Sequence, residues 1–247
     1  MSKKLSSFRH VPNMITCLNL FCGCMSIVCS SFYYPLYGAA YFIFAAAVFD
    51  FFDGFAARRL KAYSAIGKEL DSLADMVSFG VAPALIMFNL ILLSIDFDSY
   101  LHPFDMLVAS SAFLIAIFSA LRLAKFNTDT RQADSFIGLP TPANALFICS
   151  LVFIQSVNNQ FSLFVGNMFF LLTITIVFSY LLVAELPLFS LKFKSFDWKN
   201  NQIRYIFVAL SAFILIFLHW TGLAVVIPIY IILSIFTNLL CNRKVST

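Results

Sequence analysis

Long apolar runs separated by short polar patches dominate the chain. Eight such runs fall at about 11–33, 37–58, 70–95, 104–125, 141–157, 162–184, 204–219 and 222–241. Most approach the roughly 20 apolar residues that a helix needs to cross a bilayer. Only His219-Trp220-Thr221-Gly222 separates the last two, so that patch must make the whole turn. The pattern predicts an all-α, polytopic membrane helix bundle of about eight spanning helices.

The placement of charge gives this bundle a direction. Lys3, Lys4 and Arg9 precede the first run; Arg58, Arg59, Lys61 and Lys68 lie between the second and third. Arg122, Lys125 and Arg131 surround the end of the fourth; Lys192, Lys194, Lys199 and Arg204 precede the seventh; Arg243 and Lys244 follow the eighth. All 16 basic residues therefore fall on one side, while Asp96, Asp98, His102 and Asp105 occupy the other. The positive-inside rule puts the basic loops and both termini in the cytoplasm. Residues 189–205 mix Phe, Trp198 and Lys, which suits either a segment lying along the membrane surface or an ordinary basic connection.

Composition agrees. Hydrophobic residues make up 61% of the 247 and charged residues only 11%, whereas soluble domains carry about 25% charged residues. Mean hydropathy is +0.91. A water-soluble enzyme, a disordered chain and a fibrous repeat are excluded, and a net charge of +4 gives no reason to expect nucleic-acid binding. The six cysteines sit in or beside apolar runs without zinc-site spacing and read as small apolar residues. No cleavable signal peptide is expected, because the first run continues past a typical signal core. His10, His102 and His219 show no partner spacing.

Four carboxylates stand out against this background. Asp50 and Asp53 are spaced i,i+3 near the end of the second run, and Asp71 and Asp75 i,i+4 at the start of the third. Each pair shares a helix face. Asp50 lies nine residues before Arg59, roughly 13 Å along a helix, which makes the site recessed yet open to the basic side. Acidic groups at membrane depth are costly and mark partners, ions or water. Four of them converging require protonation of some or cations among them. Oxygen ligands favour Mg²⁺ or Mn²⁺, and four acids suit two such ions, which can bridge a phosphate. Gly54, Ala57 and Gly67 leave room for a bulky anion, although small residues also serve helix packing. Arg58 offers phosphate a cation and Ser64 a hydrogen bond.

In order, these residues read Asp50-x2-Asp53-Gly54-x2-Ala57-Arg58-x8-Gly67-x3-Asp71-x3-Asp75. The stretch resembles, at all eight specified positions, the signature of the CDP-alcohol phosphatidyltransferase family. The resemblance implies a membrane enzyme that moves a phosphatidyl group from a CDP-linked lipid to an alcohol and releases CMP. It implies that Asp50, Asp53, Asp71 and Asp75 bind two divalent cations, with Asp75 also the general base, and that Gly54, Arg58 and Ser64 contact the nucleotide. It implies a six-helix core, here residues 1–184, often in a homodimer, with residues 185–247 carrying two additional helices.

Further stretches are similar to the bacterial and archaeal phosphatidylserine synthase branch of that family. They are Pro12-Asn13-Met14-Ile15-Thr16, Met76 to Pro83, Leu121 to Asn127, and Phe136 to Asn144. This second resemblance covers about residues 8–150 and implies CDP-diacylglycerol as donor, with Asn13 and Thr16 joining Ala57 and Gly67 around it, and L-serine as acceptor. Arg122 is the first choice for the serine carboxylate because it sits inside a helix end. Lys125, Asn127, Arg131, Gly138 and Pro140 are further candidates for the acceptor pocket, although Lys125 and Arg131 also suit a role beside lipid headgroups and the Pro-Thr-Pro run a helix start. Direct displacement is favoured over a covalent intermediate, because the motif offers no obvious nucleophile. Glycerol 3-phosphate or an inositol compound is the alternative acceptor. An ion-coupled transporter would predict broken helices in an internal repeat, and no repeat is visible.

Overall fold

A computed structural model of the chain describes residues 10–32, 35–95, 102–128, 136–157, 160–188 and 198–245. Helices form where the apolar runs predict them. They are α1 (Val11–Phe32), α2 (Tyr37–Leu60), α3 (Ala65–Leu93), α4 (Pro103–Thr128), α5 (Thr141–Ser156), α6 (Gln160–Val165), α7 (Met168–Val183), α8 (Trp198–Leu218) and α9 (Leu223–Val245). The sixth run thus divides into α6 and α7. A two-residue antiparallel ladder joins β1 (Phe136–Ile137) to β2 (Pro187–Leu188). Arg131, residues 189–197 and most of the surface-segment question lie outside the described residues.

The helix α3 is the centre of the bundle. Over its most apolar window 56% of residues are buried, against 33% for α1 and 28% for α2 and α4. Phe79, Ile86, Met87, Leu90 and Ile91 of α3 pack with Ile43, Ile115, Ile148 and Leu171 from the surrounding helices. The helices α1 to α4 are each long and apolar enough to cross a membrane, whereas α5 and α7 have 16 residues each, roughly 24 Å.

Inside α3 the helical ladder loosens into a π-helical stretch over Met76–Val81, where the Ala82 amide reaches back to the Val77 carbonyl. Pro83 supplies a physical reason: it has no N–H to donate and its ring crowds the carbonyl four residues earlier, so a wider turn before it relieves the conflict. Gly80 allows Ser119 of α4 to approach this stretch; a Cβ there would lie 3.2 Å from Ser119 Cβ.

After α8 the chain turns over His219–Gly222, with His219 in the left-handed region at φ 50. The Phe207 and Tyr230 rings lie 5.6 Å apart, where one straight helix would separate them by roughly 34 Å. The four-residue patch therefore reverses the chain as the sequence requires. Trp220 from this turn joins Tyr41, Phe44 and Phe153 in an aromatic cluster.

The start of α3 lies beside the end of α4 and the start of α1. Lys68 near the start of α3 donates to the Asn127 carbonyl at the end of α4, at 3.2 Å. Asn13 at the start of α1 faces Gly67 of α3. These contacts join the basic α2–α3 connection to the start of α1 and the end of α4.

Candidate active site

At the basic end α1, α2 and α3 enclose a cleft of about 290 Å³. The end of α2 is fixed by Lys61, whose left-handed backbone lets its N–H cap the Arg58 carbonyl. Ser64 then starts α3: its hydroxyl oxygen accepts from the Gly67 amide at 2.9 Å. This short turn brings the second half of the motif back against the first.

All seven residues expected around the donor line the cleft: Asn13, Thr16, Gly54, Ala57, Arg58, Ser64 and Gly67. Asp53 and Asp71 line it too. Close approach requires the glycine at Gly67, while Gly54 has more room. A Cβ at Gly67 would lie 2.9 Å from Ser64 Oγ and 3.0 Å from Asn13 Oδ1; one at Gly54 would lie 3.4 Å from an Arg58 nitrogen. Pro12, Ala62, Tyr63 and Lys68 complete the lining, and sequence reasoning missed them. Lys68 adds a second cation beside Arg58, a role its position in the basic connection could have suggested.

Side-chain oxygens of Asp50, Asp53 and Asp71 lie within 4.8 Å of one another. Asp53 is buried and its Oδ2 has no hydrogen-bond partner among the described residues. Thr16 lies within hydrogen-bonding reach of Asp53, while its hydroxyl donates to the Pro12 carbonyl at 3.0 Å. Asp75 stands beside this group, within reach of Asp50, and accepts from the Asn19 amide at 3.4 Å. Carboxylates this close require a shared proton or a cation. An orphaned buried oxygen beside two further carboxylates fits a hard divalent ion, so the residues present suit the metal that the motif implies.

The acceptor candidates divide. Arg122 is 7% exposed, faces Asp75, and leaves its Nε unpartnered among the described residues. Its guanidinium lies 5.8 Å from the Phe126 ring centre. Asn127 serves as a latch, its amide donating to Ser72 Oγ at 2.8 Å. Lys125 is exposed. Gly138 has φ +78 and its amide donates to the Leu186 carbonyl at 3.0 Å; a Cβ would meet the Leu182 carbonyl at 2.6 Å. Pro140 precedes the first turn of α5. The Gly138–Pro140 turn is thus tied to the end of α7, a structural duty that the sequence does not announce.

Comparison with known proteins agrees with this geometry. The family model for CDP-alcohol phosphatidyltransferase matches residues 9–183. The CDP-diacylglycerol–serine O-phosphatidyltransferase of Bacillus subtilis is 39% identical over 58% of this chain and 76% of its own length. The Helicobacter pylori (strain J99) protein of the same name is 36% identical over 63% of this chain and 61% of its own. The archaetidylserine synthase of Methanothermobacter thermautotrophicus is 35% identical over 60% of each chain. An α-helical integral membrane protein with carboxylates gathered under its basic face, the chain belongs to the CDP-alcohol phosphatidyltransferase family.

Proposed function

We propose that this chain transfers the phosphatidyl group of CDP-diacylglycerol to the hydroxyl of L-serine, giving phosphatidylserine and CMP. The observation that carries the reading is one cleft holding all seven expected donor residues next to three clustered carboxylates. The names of the relatives favour serine over glycerol 3-phosphate or an inositol compound as acceptor.

The donor's diphosphate lies in the cleft against Arg58, Ser64 and Lys68, with its acyl chains left in lipid. Met14 and Phe55, neighbours of Asn13 and Gly54, are exposed and suit that lateral arrangement. Asp50, Asp53, Asp71 and Asp75 would hold two divalent cations, Mg²⁺ or Mn²⁺, which when bound polarise phosphorus and offset charge on the departing CMP. Asp75 accepts the proton of the serine hydroxyl as its oxygen attacks phosphorus and the bond to CMP breaks. Arg122, facing Asp75 from α4, binds the serine carboxylate; Lys125, Asn127, Arg131, Gly138 and Pro140 frame that side.

The reading places the site at the cytoplasmic face of a bacterial-type inner membrane, with both termini in the cytoplasm. Residues 1–184 form the catalytic core, supported by a family match ending at 183, and 185–247 an addition; the unit is a homodimer. The purified chain, given CDP-diacylglycerol and a panel of acceptors with and without chelator, should make phosphatidylserine only with serine and only with metal. Metal-dependent product with another acceptor and none with serine would reassign the substrate. No CMP release under any condition would reject the enzyme reading.

A further inference from the structure

Asn19 lies within the apolar helix α1 and is wholly buried. Its Nδ2 donates to Asp75 Oδ1 at 3.4 Å, across 56 positions of sequence. Its own Oδ1 has no hydrogen-bond partner among the described residues. A buried amide with one end unsatisfied is costly, so its retention needs an explanation beyond packing.

The surrounding joint is stiff. Ser78 Oγ donates to the Asn19 backbone carbonyl at 3.0 Å. One turn further along α1, a Cβ at Gly23 would lie 2.8 Å from Ser78 Cα, so the two backbones meet almost directly. Asp75 is the last residue before the π-helical stretch. Its carboxylate stands where the regular ladder of its own helix gives way, and the brace comes from α1.

We propose that Asn19 is a positioning residue for Asp75. By engaging Oδ1, its amide turns Oδ2 toward the Asp50 side of the carboxylate group, where an ion or a substrate proton is met. Groups that orient a ligating side chain in this way change metal affinity or activity by about 10–100-fold when removed. The inference rests on the reading of Asp75 as a member of the ion-binding group.

The test uses the full chain in lipid nanodiscs, with Mn²⁺ alone as the probe. Asn19→Leu keeps the branching and heavy-atom count of the side chain, adds only the bulk of its methyl hydrogens and removes the unsatisfied oxygen, so its melting temperature should stay near that of the unchanged chain. Its Mn²⁺ dissociation constant should rise about tenfold, and its kcat for CMP release fall by about 10–100-fold, with the KM for CDP-diacylglycerol unchanged. Ser78→Ala loosens the same helix joint without touching Asp75 and should leave both readouts near their starting values. Unaltered Mn²⁺ affinity and kcat in Asn19→Leu would overturn the inference, as would equal losses in Ser78→Ala, which would mark the joint as merely structural. Mn²⁺ failing to bind the unchanged chain would overturn the carboxylate reading itself and this inference with it.

Discussion

The Ser64 hydroxyl oxygen accepts from the Gly67 amide, N to O 2.9 Å, and Ser64 also lines the cleft, so its own O–H remains available as a donor there. One side chain thereby starts α3 and presents a donor to an anion. Ser64→Ala removes both. The lost cap costs about 1 kcal/mol of stability, and the lost donor should raise the KM for CDP-diacylglycerol about fivefold, the scale of one hydrogen bond. Thermal melts and CMP-release kinetics on the same preparation separate the two effects.

At Gly67 the obstacle is space. A methyl group there meets Ser64 Oγ and Asn13 Oδ1 at about the closest separations any Cβ tolerates. Gly67→Ala should raise the donor KM about tenfold or more while the serine KM stays put, because the intrusion lies on the donor side. Steady-state kinetics with each substrate varied in turn reads this directly.

Chelation should abolish CMP release, and Mg²⁺ or Mn²⁺ should restore it. Asp53→Asn and Asp71→Asn, which each remove a charge from the cluster, should lower kcat by about 100–1,000-fold, the scale of losing one preorganised electrostatic contact. Asp75→Asn should fall at least about 100-fold through loss of the proton acceptor. Residual activity of Asp75→Asn near that of the unchanged chain, with normal folding, would show that another group takes the proton.

Arg122 faces Asp75 from α4 and is almost fully buried. Arg122→Gln should raise the serine KM roughly 30-fold, the equivalent of about 2 kcal/mol for a charge-assisted hydrogen bond, and leave the donor KM unchanged. A mass-resolved assay of phosphatidylserine at graded serine concentrations distinguishes this from a general loss of enzyme.

Gly23→Ala should destabilise the bundle by about 1–3 kcal/mol, since the new methyl group presses on the backbone of Ser78. The measurement is a melting curve in detergent, with Gly38→Ala as comparison: there the nearest atom to a new Cβ is Cys29 Sγ at 3.5 Å, an ordinary contact.

Much of the fold was legible because burial in lipid demands length and apolarity, and both are visible in a linear sequence. The cleft was legible because most of its residues lie at fixed spacing on α2, α3 and the turn between them, with Asn13 and Thr16 added from a recognisable stretch at the start of α1. Other features escaped for a common reason: they depend on partners distant along the chain or on backbone register. Asn19 is one polar residue in an apolar run, and its partner Asp75 comes 56 positions later. The π-helical stretch at Met76–Val81 is a matter of backbone hydrogen-bond register, which an apolar run does not reveal. Gly138 reads as part of a turn, yet the Leu182 carbonyl against it belongs to a helix two elements away. The break between α6 and α7 at Gly166 and Asn167 was smoothed over by apolar neighbours on both sides.

Every residue lining the donor cleft falls between Pro12 and Asp71. On the proposed reading the grip on the nucleotide lipid is therefore confined to the first quarter or so of the chain, while Arg122, the acceptor candidate, stands on a later helix. Such a division lets one lineage exchange the incoming alcohol by altering α4 and its successors, with the leading segment left intact. A hybrid joining this leader to the trailing helices of a cousin that uses another alcohol should still turn over the same liponucleotide and change only the headgroup it builds.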